Sequence, residues 1–379
     1  MKHSIRRKSF FERFLAAWFC FFLGFLAFLS VLLPKETFSE NEKRYLSDPP
    51  ATDARSILSG RFSADAETWL ADHFPARSIF VGLNAQYDRL SMRQVTKSVY
   101  VGKSGRLYEA PVSPDMGIIQ RNMAAINSFA EASDQSVDLM LVPSAGLILE
   151  DGLPFLSDPY PDSVILSAVQ EHSCAAVHCT DLIPLFQTQP DRAALYYRTD
   201  HHWTSYGAWL AGSSYLIEKD RHYLSQSDYL VTKYSDFRGS TWTRAALWNI
   251  PSESIEIWES GTSFLVENRD RPGLHEGLFY LSHISEADKY PVFLDGNHSL
   301  VRIENRNPTA EGKLLVIRDS FANCLGCFLA EGYRETVLID LRYYRDSVSE
   351  LLQEECFDNI LILYYIGNFM TDSYLLALD

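Results

Sequence analysis

Cysteine is scarce in this chain, and scattered. Cys20 falls inside an N-terminal apolar run, while Cys174, Cys179, Cys324, Cys327 and Cys356 make no dense framework. That excludes a small secreted fold stapled by disulfides. The spacing leaves open whether Cys174–Cys179 or Cys324–Cys327 bridge. Positive charge is also short: 34 Lys/Arg against 49 Asp/Glu give a net charge of -15. Beyond residue 13, 29 basic side chains face 48 acidic ones, a balance of -19. So acidic a body disfavours nucleic acid as a partner and suits neutral or weakly charged ligands. No internal repeat or low-complexity tract stands out. His172, Cys174, His178 and Cys179 are metal-ligand types, but they straddle a helix-like stretch and the next strand, so no metal site and no cofactor is expected.

What the chain has is length for one large domain or two modest ones, a 46% hydrophobic fraction and 43 Tyr and Phe to pack. Residues 1–13 form a basic tail with Lys2, Arg6, Arg7, Lys8 and Arg13. Residues 14–33 carry no charge and end at Pro34. Twenty apolar residues span a bilayer as a helix, and no A-x-A-like cleavage site follows, so a retained anchor is expected over a cleaved signal peptide. The positive flank places the N-terminus in the cytoplasm and the rest outside. Residues 34–56 read as a linker and 57–379 as one extracytoplasmic domain.

Within that domain, apolar spacing predicts helix over 57–93, broken by Pro75. A hairpin with glycines in its turn follows at 98–108. Helix at 115–132, strand at 137–142, helix at 162–174 and strand at 176–183 alternate as a parallel sheet with helical crossovers requires. A polar-aromatic loop, 196–207, leads into a helix at 208–218 capped by Thr204 or Ser205. Short strands at 255–258, 263–266, 279–281 and 300–303 then read as an antiparallel insertion over about 226–310. The α/β core resumes with a strand at 314–317, a helix at 321–330, and strands at 337–341 and 360–365 around a helix at 346–356.

Chemistry concentrates at two places. Ser320 follows a buried strand and opens a helix, so its hydroxyl sits at the carboxyl rim of a parallel sheet, where such folds bind ligands. A serine nucleophile needs a base and a group to hold that base. Asp200-His201-His202-Trp203 supplies candidates for both. His201 is the rival base to His202, and adjacent side chains on an extended loop point opposite ways, so one of the two is expected to face the serine. Trp203 suits either a sugar face or the core. Arg342, Tyr343 and Asn368 follow core strands and are candidates for a second oxyanion donor or substrate contact beside the Ser320 N–H.

Asp200-His201-His202-Trp203 and Asp319-Ser320-Phe321, in that order and at that spacing, resemble the DHHW protein family, which is similar to the alginate O-acetyltransferase proteins of the SGNH-hydrolase-like superfamily. The resemblance covers most of residues 60–370. It implies a three-layer α/β/α fold with a mainly parallel sheet, and a triad of Ser320 as nucleophile, His202 as base and Asp200 as orienting carboxylate. It also implies an anchored O-acyltransferase, O-acetyl by family habit, working on a cell-surface or exported glycan, with a multi-pass membrane acyltransferase bringing the acyl donor. An esterase using the same triad and a non-catalytic glycan-binding protein are the alternatives. Ordinary SGNH hydrolases place a glycine two before the serine; Arg318 stands there, pointing to a more ordinary backbone angle or an occluded pocket.

Overall fold

The computed structural model describes residues 2–91, 93, 95–133 and 135–378. The chain divides into two compact units, Met1–Leu90 with Ala246–Trp248, and Ser91–Ala245 with Asn249–Asp379.

The first unit opens with α1, Lys2–Leu32, whose stretch Phe10–Ser30 is long and apolar enough to cross a membrane and is wholly unburied. Its 21 residues rise about 31 Å, the thickness of a hydrocarbon core. Helices α2, Arg61–Asp72, and α3, Arg77–Leu90, flank Pro75 as the sequence predicts. Met92, in the stretch expected to be helical, lies outside the described residues. The sequence assigns residues 57–90 to the large domain, yet they fall in this unit. The stretch expected as a bare linker holds a small hairpin, Phe38–Ser39 with Arg44–Tyr45. Asp72 ties it down, accepting from Arg44 Nη1 at 3.0 Å and from the Ser47 N–H at 2.9 Å.

The second unit is built on an eight-stranded mixed sheet. In chain order its strands are β1 Val137–Val142, β2 Val177–Asp181, β3 Phe264–Asn268, β4 Arg271–Glu276, β5 Leu300–Asn305, β6 Lys313–Arg318, β7 Glu335–Ile339 and β8 Asn359–Tyr365. Their spatial order is β4-β3-β5-β7-β6-β8-β1-β2. From β7 to β2 all neighbours run parallel; β5, β3 and β4 add antiparallel strands at one edge. Strands β1, β6 and β8 are buried almost throughout, as parallel strands covered on both faces must be. Helix α4, Met116–Ser133, packs on α5, Asp162–His172, and α6, Ser205–Glu218, packs on α7, Ala322–Leu329. All six cysteines are free.

Residues 226–310 are β-rich, but they do not stand apart as an insertion. Three of their strands extend the main sheet, while Leu230–Phe237 and Glu253–Glu259 pair with each other. Strand β4 escapes sequence reading because it contains Pro272, which is tolerated at a sheet edge where one N–H would face solvent. The strand expected at 279–281 is absent. Phe279 makes a single bridge to Phe293. The next pairing position is Val292, whose N–H donates to the Lys289 carbonyl at 3.0 Å instead of back to Tyr280, and Leu281–Ser285 turns into a 3-10 helix.

Candidate active site

The registers bring the carboxyl ends of the parallel strands to one rim: Ile317 lies beside Ile339, Arg318 beside Leu363, and Tyr365 beside Val142. Asp319 fixes the turn that follows β6. One carboxylate oxygen accepts from the Phe321 N–H at 2.9 Å; the other accepts from the Tyr365 N–H at 2.7 Å and Asn368 Nδ2 at 2.8 Å. The nucleophile turn is thereby tied to the end of β8, leaving half-buried Ser320 at the rim.

The loop carrying the base folds back on itself. Tyr196 bridges Trp203, the Tyr197 N–H donates to the His202 carbonyl at 3.2 Å, and Thr204 caps α6 by accepting from the Gly207 N–H. Glu253 holds the loop's outer side, accepting from the N–H groups of Arg198 and Thr199 at 2.8 and 2.6 Å. Asp200 Oδ1 accepts from the His202 N–H at 2.9 Å, and Oδ2 accepts from the Ser240 N–H at 2.6 Å. Gly239 lets that support come close: a Cβ there would stand 2.1 Å from Asp200 Cβ.

These two segments meet. His202 Nε2 lies 2.8 Å from Ser320 Oγ, and His202 Nδ1 lies 2.5 Å from Asp200 Oδ1. Trp203 Nε1 donates to the Phe321 carbonyl at 3.1 Å, a second tie between the segments. Burial alone would raise the Asp200 carboxyl, but the charges of His202 and His201 and the His202 hydrogen bonds outweigh it and hold Asp200 well below the ordinary carboxylate range. An ionised Asp200 only accepts, so Nδ1 carries the proton and Nε2 accepts the Ser320 hydroxyl.

His201 does not point away from His202, as an extended loop would require. The chain bends at 198–202, and the two rings lie 3.8 Å apart. His201 Nδ1 instead meets Ser240 Oγ at 2.6 Å, and burial together with the nearby His202 lowers its pKa. Trp203 has no exposed surface, so it packs in the core and cannot stack on a sugar. Arg342 spends its fork on Asp340, at 2.8 and 2.6 Å, and Tyr343, half exposed, lies under its guanidinium. Asn368 commits one amide N–H to Asp319. Among the described residues nothing accepts from the Ser320 N–H, which stays open to a ligand oxygen. Asp200, His201 and His202 could converge on a cation, but their nitrogens are occupied by Ser240, Asp200 and Ser320.

Arg318 does not occlude the site. It has no exposed surface; its Nη1 donates to Asn297 Oδ1 at 2.9 Å and Asn323 Oδ1 at 2.7 Å, and lies 3.8 Å from Asp340. The side chain points back under the rim, where Asn323 Nδ2 also donates to Asn297 Oδ1 at 2.9 Å. Sequence reasoning missed Tyr290, whose ring stacks on His202 at 3.9 Å and 10°. Ser240, Glu253 and Asn297 were equally unreadable: each comes from a separate segment with no motif of its own.

The fold and this cluster define an α/β protein built on a large mixed sheet, and what it is similar to is SGNH-like. Residues 177–339 match the DHHW protein family model, and residues 107–214 match the SGNH hydrolase-like domain of acetyltransferase AlgX. The resemblance carried by Asp200-His201-His202-Trp203 and Asp319-Ser320-Phe321 is thus borne out. No curated protein matches the chain. Among solved structures, a DHHW family protein from Eubacterium siraeum is similar with a TM-score of 0.65 at 18% identity, over 75% of this chain and 95% of that one. Bacillus cereus PatB1, solved with a sulfonyl adduct, is similar with a TM-score of 0.61 at 21% identity, over 72% of this chain and 96% of that one. At these identities the likeness is one of fold.

Proposed function

We propose that this protein is an O-acyltransferase, most simply an O-acetyltransferase, that modifies a cell-surface or exported glycan through an acyl-serine intermediate. The observation that carries the reading is the unbroken chain from Ser320 Oγ through His202 to Asp200, at 2.8 and 2.5 Å. The match to the AlgX acetyltransferase domain supports the reaction type. Helices on both faces of the sheet, in the three-layer order of the SGNH-like class, are part of the same reading.

Ser320 Oγ attacks the acyl carbonyl while its proton passes to His202 Nε2, and Asp200 stabilises the imidazolium. The oxyanion of the tetrahedral intermediate takes the open Ser320 N–H. Collapse breaks the bond to the donor's oxygen, which leaves with the proton from Nε2. A glycan hydroxyl then gives its proton to Nε2 and attacks the acyl-serine; a second collapse delivers the ester and restores Ser320. Where water replaces the glycan, the same groups make an esterase.

The uncharged stretch 14–33 anchors the chain, the basic tail stays cytoplasmic, and the site works outside with acyl groups supplied by a multi-pass membrane acyltransferase. The test is labelling by a serine-directed fluorophosphonate, lost in Ser320→Ala, followed by transfer from an activated acetyl ester to candidate glycans. Acetate release with no acetylated glycan would favour the esterase; no labelling of the folded protein would defeat both.

A further inference from the structure

Outside the triad, four cations surround one cavity of about 550 Å³: Lys103, Arg106, Arg192 and Arg198, with Asp151 as the one carboxylate and Tyr108 on its wall. The lining therefore carries +3 within a chain of net charge -15. Hydrogen bonds position these cations without neutralising most of them. Arg106 Nη1 donates to the carbonyls of Tyr196 and Tyr197, and Nη2 to that of Ala193, all at 2.9 Å. Arg198 Nη2 donates to the Ser104 carbonyl at 2.7 Å, and Lys103 Nζ to the Asp151 carbonyl at 2.6 Å. Arg192 alone meets a carboxylate, Asp151 at 2.9 Å. Among the described residues, no carboxylate comes within 4.0 Å of Lys103, Arg106 or Arg198.

Carbonyl partners hold a guanidinium still and leave its charge available. Burial pulls the Arg106 guanidinium below its ordinary value, against the pull of Tyr108 and Glu253 at longer range. Fixed, under-compensated cations around a cavity this size are suited to a compact oxyanion, which arginine forks and a lysine ammonium bind by charge-assisted hydrogen bonds. Gly105 and Gly152 add little bulk to the same neighbourhood.

We propose that this cavity binds an anionic group, carboxylate or phosphate, in a site distinct from Ser320. The two chemistries share the charge and the oxygens, and the probes separate them. The intact chain in detergent is titrated calorimetrically with galacturonic acid trimer, with inorganic phosphate and with neutral galactose trimer. The expected result is that at least one anion binds tenfold or more tightly than the neutral trimer, with affinity falling as salt rises. Lys103→Gln, an exposed side chain, should weaken that binding several-fold, and the Lys103→Gln/Arg192→Gln pair should weaken it further, while fluorophosphonate labelling of Ser320 persists. Equal affinity for neutral and anionic trimers, no anion binding, or binding unchanged in the double variant would overturn the proposal.

Discussion

Without its hydroxyl, Ser320 leaves His202 Nε2 facing nothing, so Ser320→Ala is expected to abolish covalent labelling and acyl transfer. Asp200→Asn keeps the shape of the loop but removes the acceptor that selects the Nδ1-protonated tautomer; a loss of about 10³–10⁴ in kcat is expected. Tyr290 separates packing from polarity. Its ring covers His202, yet its hydroxyl is buried without a partner among the described residues. Tyr290→Phe should therefore be neutral or stabilising by about 1 kcal/mol in denaturant unfolding. Tyr290→Ala should uncover the imidazole and lower kcat. A destabilised Tyr290→Phe would mean the hydroxyl has a water partner.

A pH effect belongs to the loop before β5, where Leu294 and Asp295 both hold positive φ, 55° and 64°. Asp295 accepts from Arg271, His283 and His298 at 2.8, 2.7 and 3.0 Å. Burial opposes charge on His283, but hydrogen bonds to Asp295 and Glu286 outweigh it and raise its pKa above the ordinary 6.5. The charged form is then favoured in the folded state. Its stabilisation is fully present below the unfolded value and is lost as pH rises through the higher folded one. The stability gap between the parent chain and His283→Gln should be widest below the ordinary 6.5 and narrow as pH rises above it, measured by urea midpoints.

At the scale of elements, the site depends on the approach of the Gly239–Ser240 backbone to Asp200. Gly239→Ala should push that carboxylate out of line, cutting transfer sharply while Ser320 and His202 remain intact; an unaffected rate would mean that the loop relaxes. Arg318 marks a different dependence. Replacing it with Ala empties a fully buried position, strands the amide oxygen of Asn323 and leaves that of Asn297 with the Asn323 amide as its donor, a loss of about 3 kcal/mol. The strands and helices around Ser320 were legible because each is a long apolar run with its own period. The rim contacts were not. Asp319 looks like a simple helix cap in sequence, whereas its carboxylate gathers N–H groups from β8 and Asn368, some 46 and 49 positions away. The opposite orientation expected for His201 and His202 failed because it assumed an extended loop, while Asp200 accepts from the His202 N–H and bends it.

For the whole molecule, α1 and the acidic body make separable predictions. The intact chain should remain in membranes washed with high salt or alkaline carbonate, and a chain starting at residue 34 should be recovered in the soluble fraction. Release of the intact chain by such washing would remove the anchor from the account.

The position of β8 has a consequence for how the molecule is made. This strand, Asn359–Tyr365, sits between β6 and β1 in the middle of the sheet, though it comes last of the eight in chain order. Until it arrives, the two flanking groups of strands have no hydrogen-bonded neighbour across the gap and the Ser320 turn lacks its tether. A chain ending at residue 358 should therefore be degraded or aggregate instead of yielding a smaller stable body. Closure of the sheet waits on a strand far along the chain from its neighbour β1, and the Ser320 turn gains its tether only when that strand is in place.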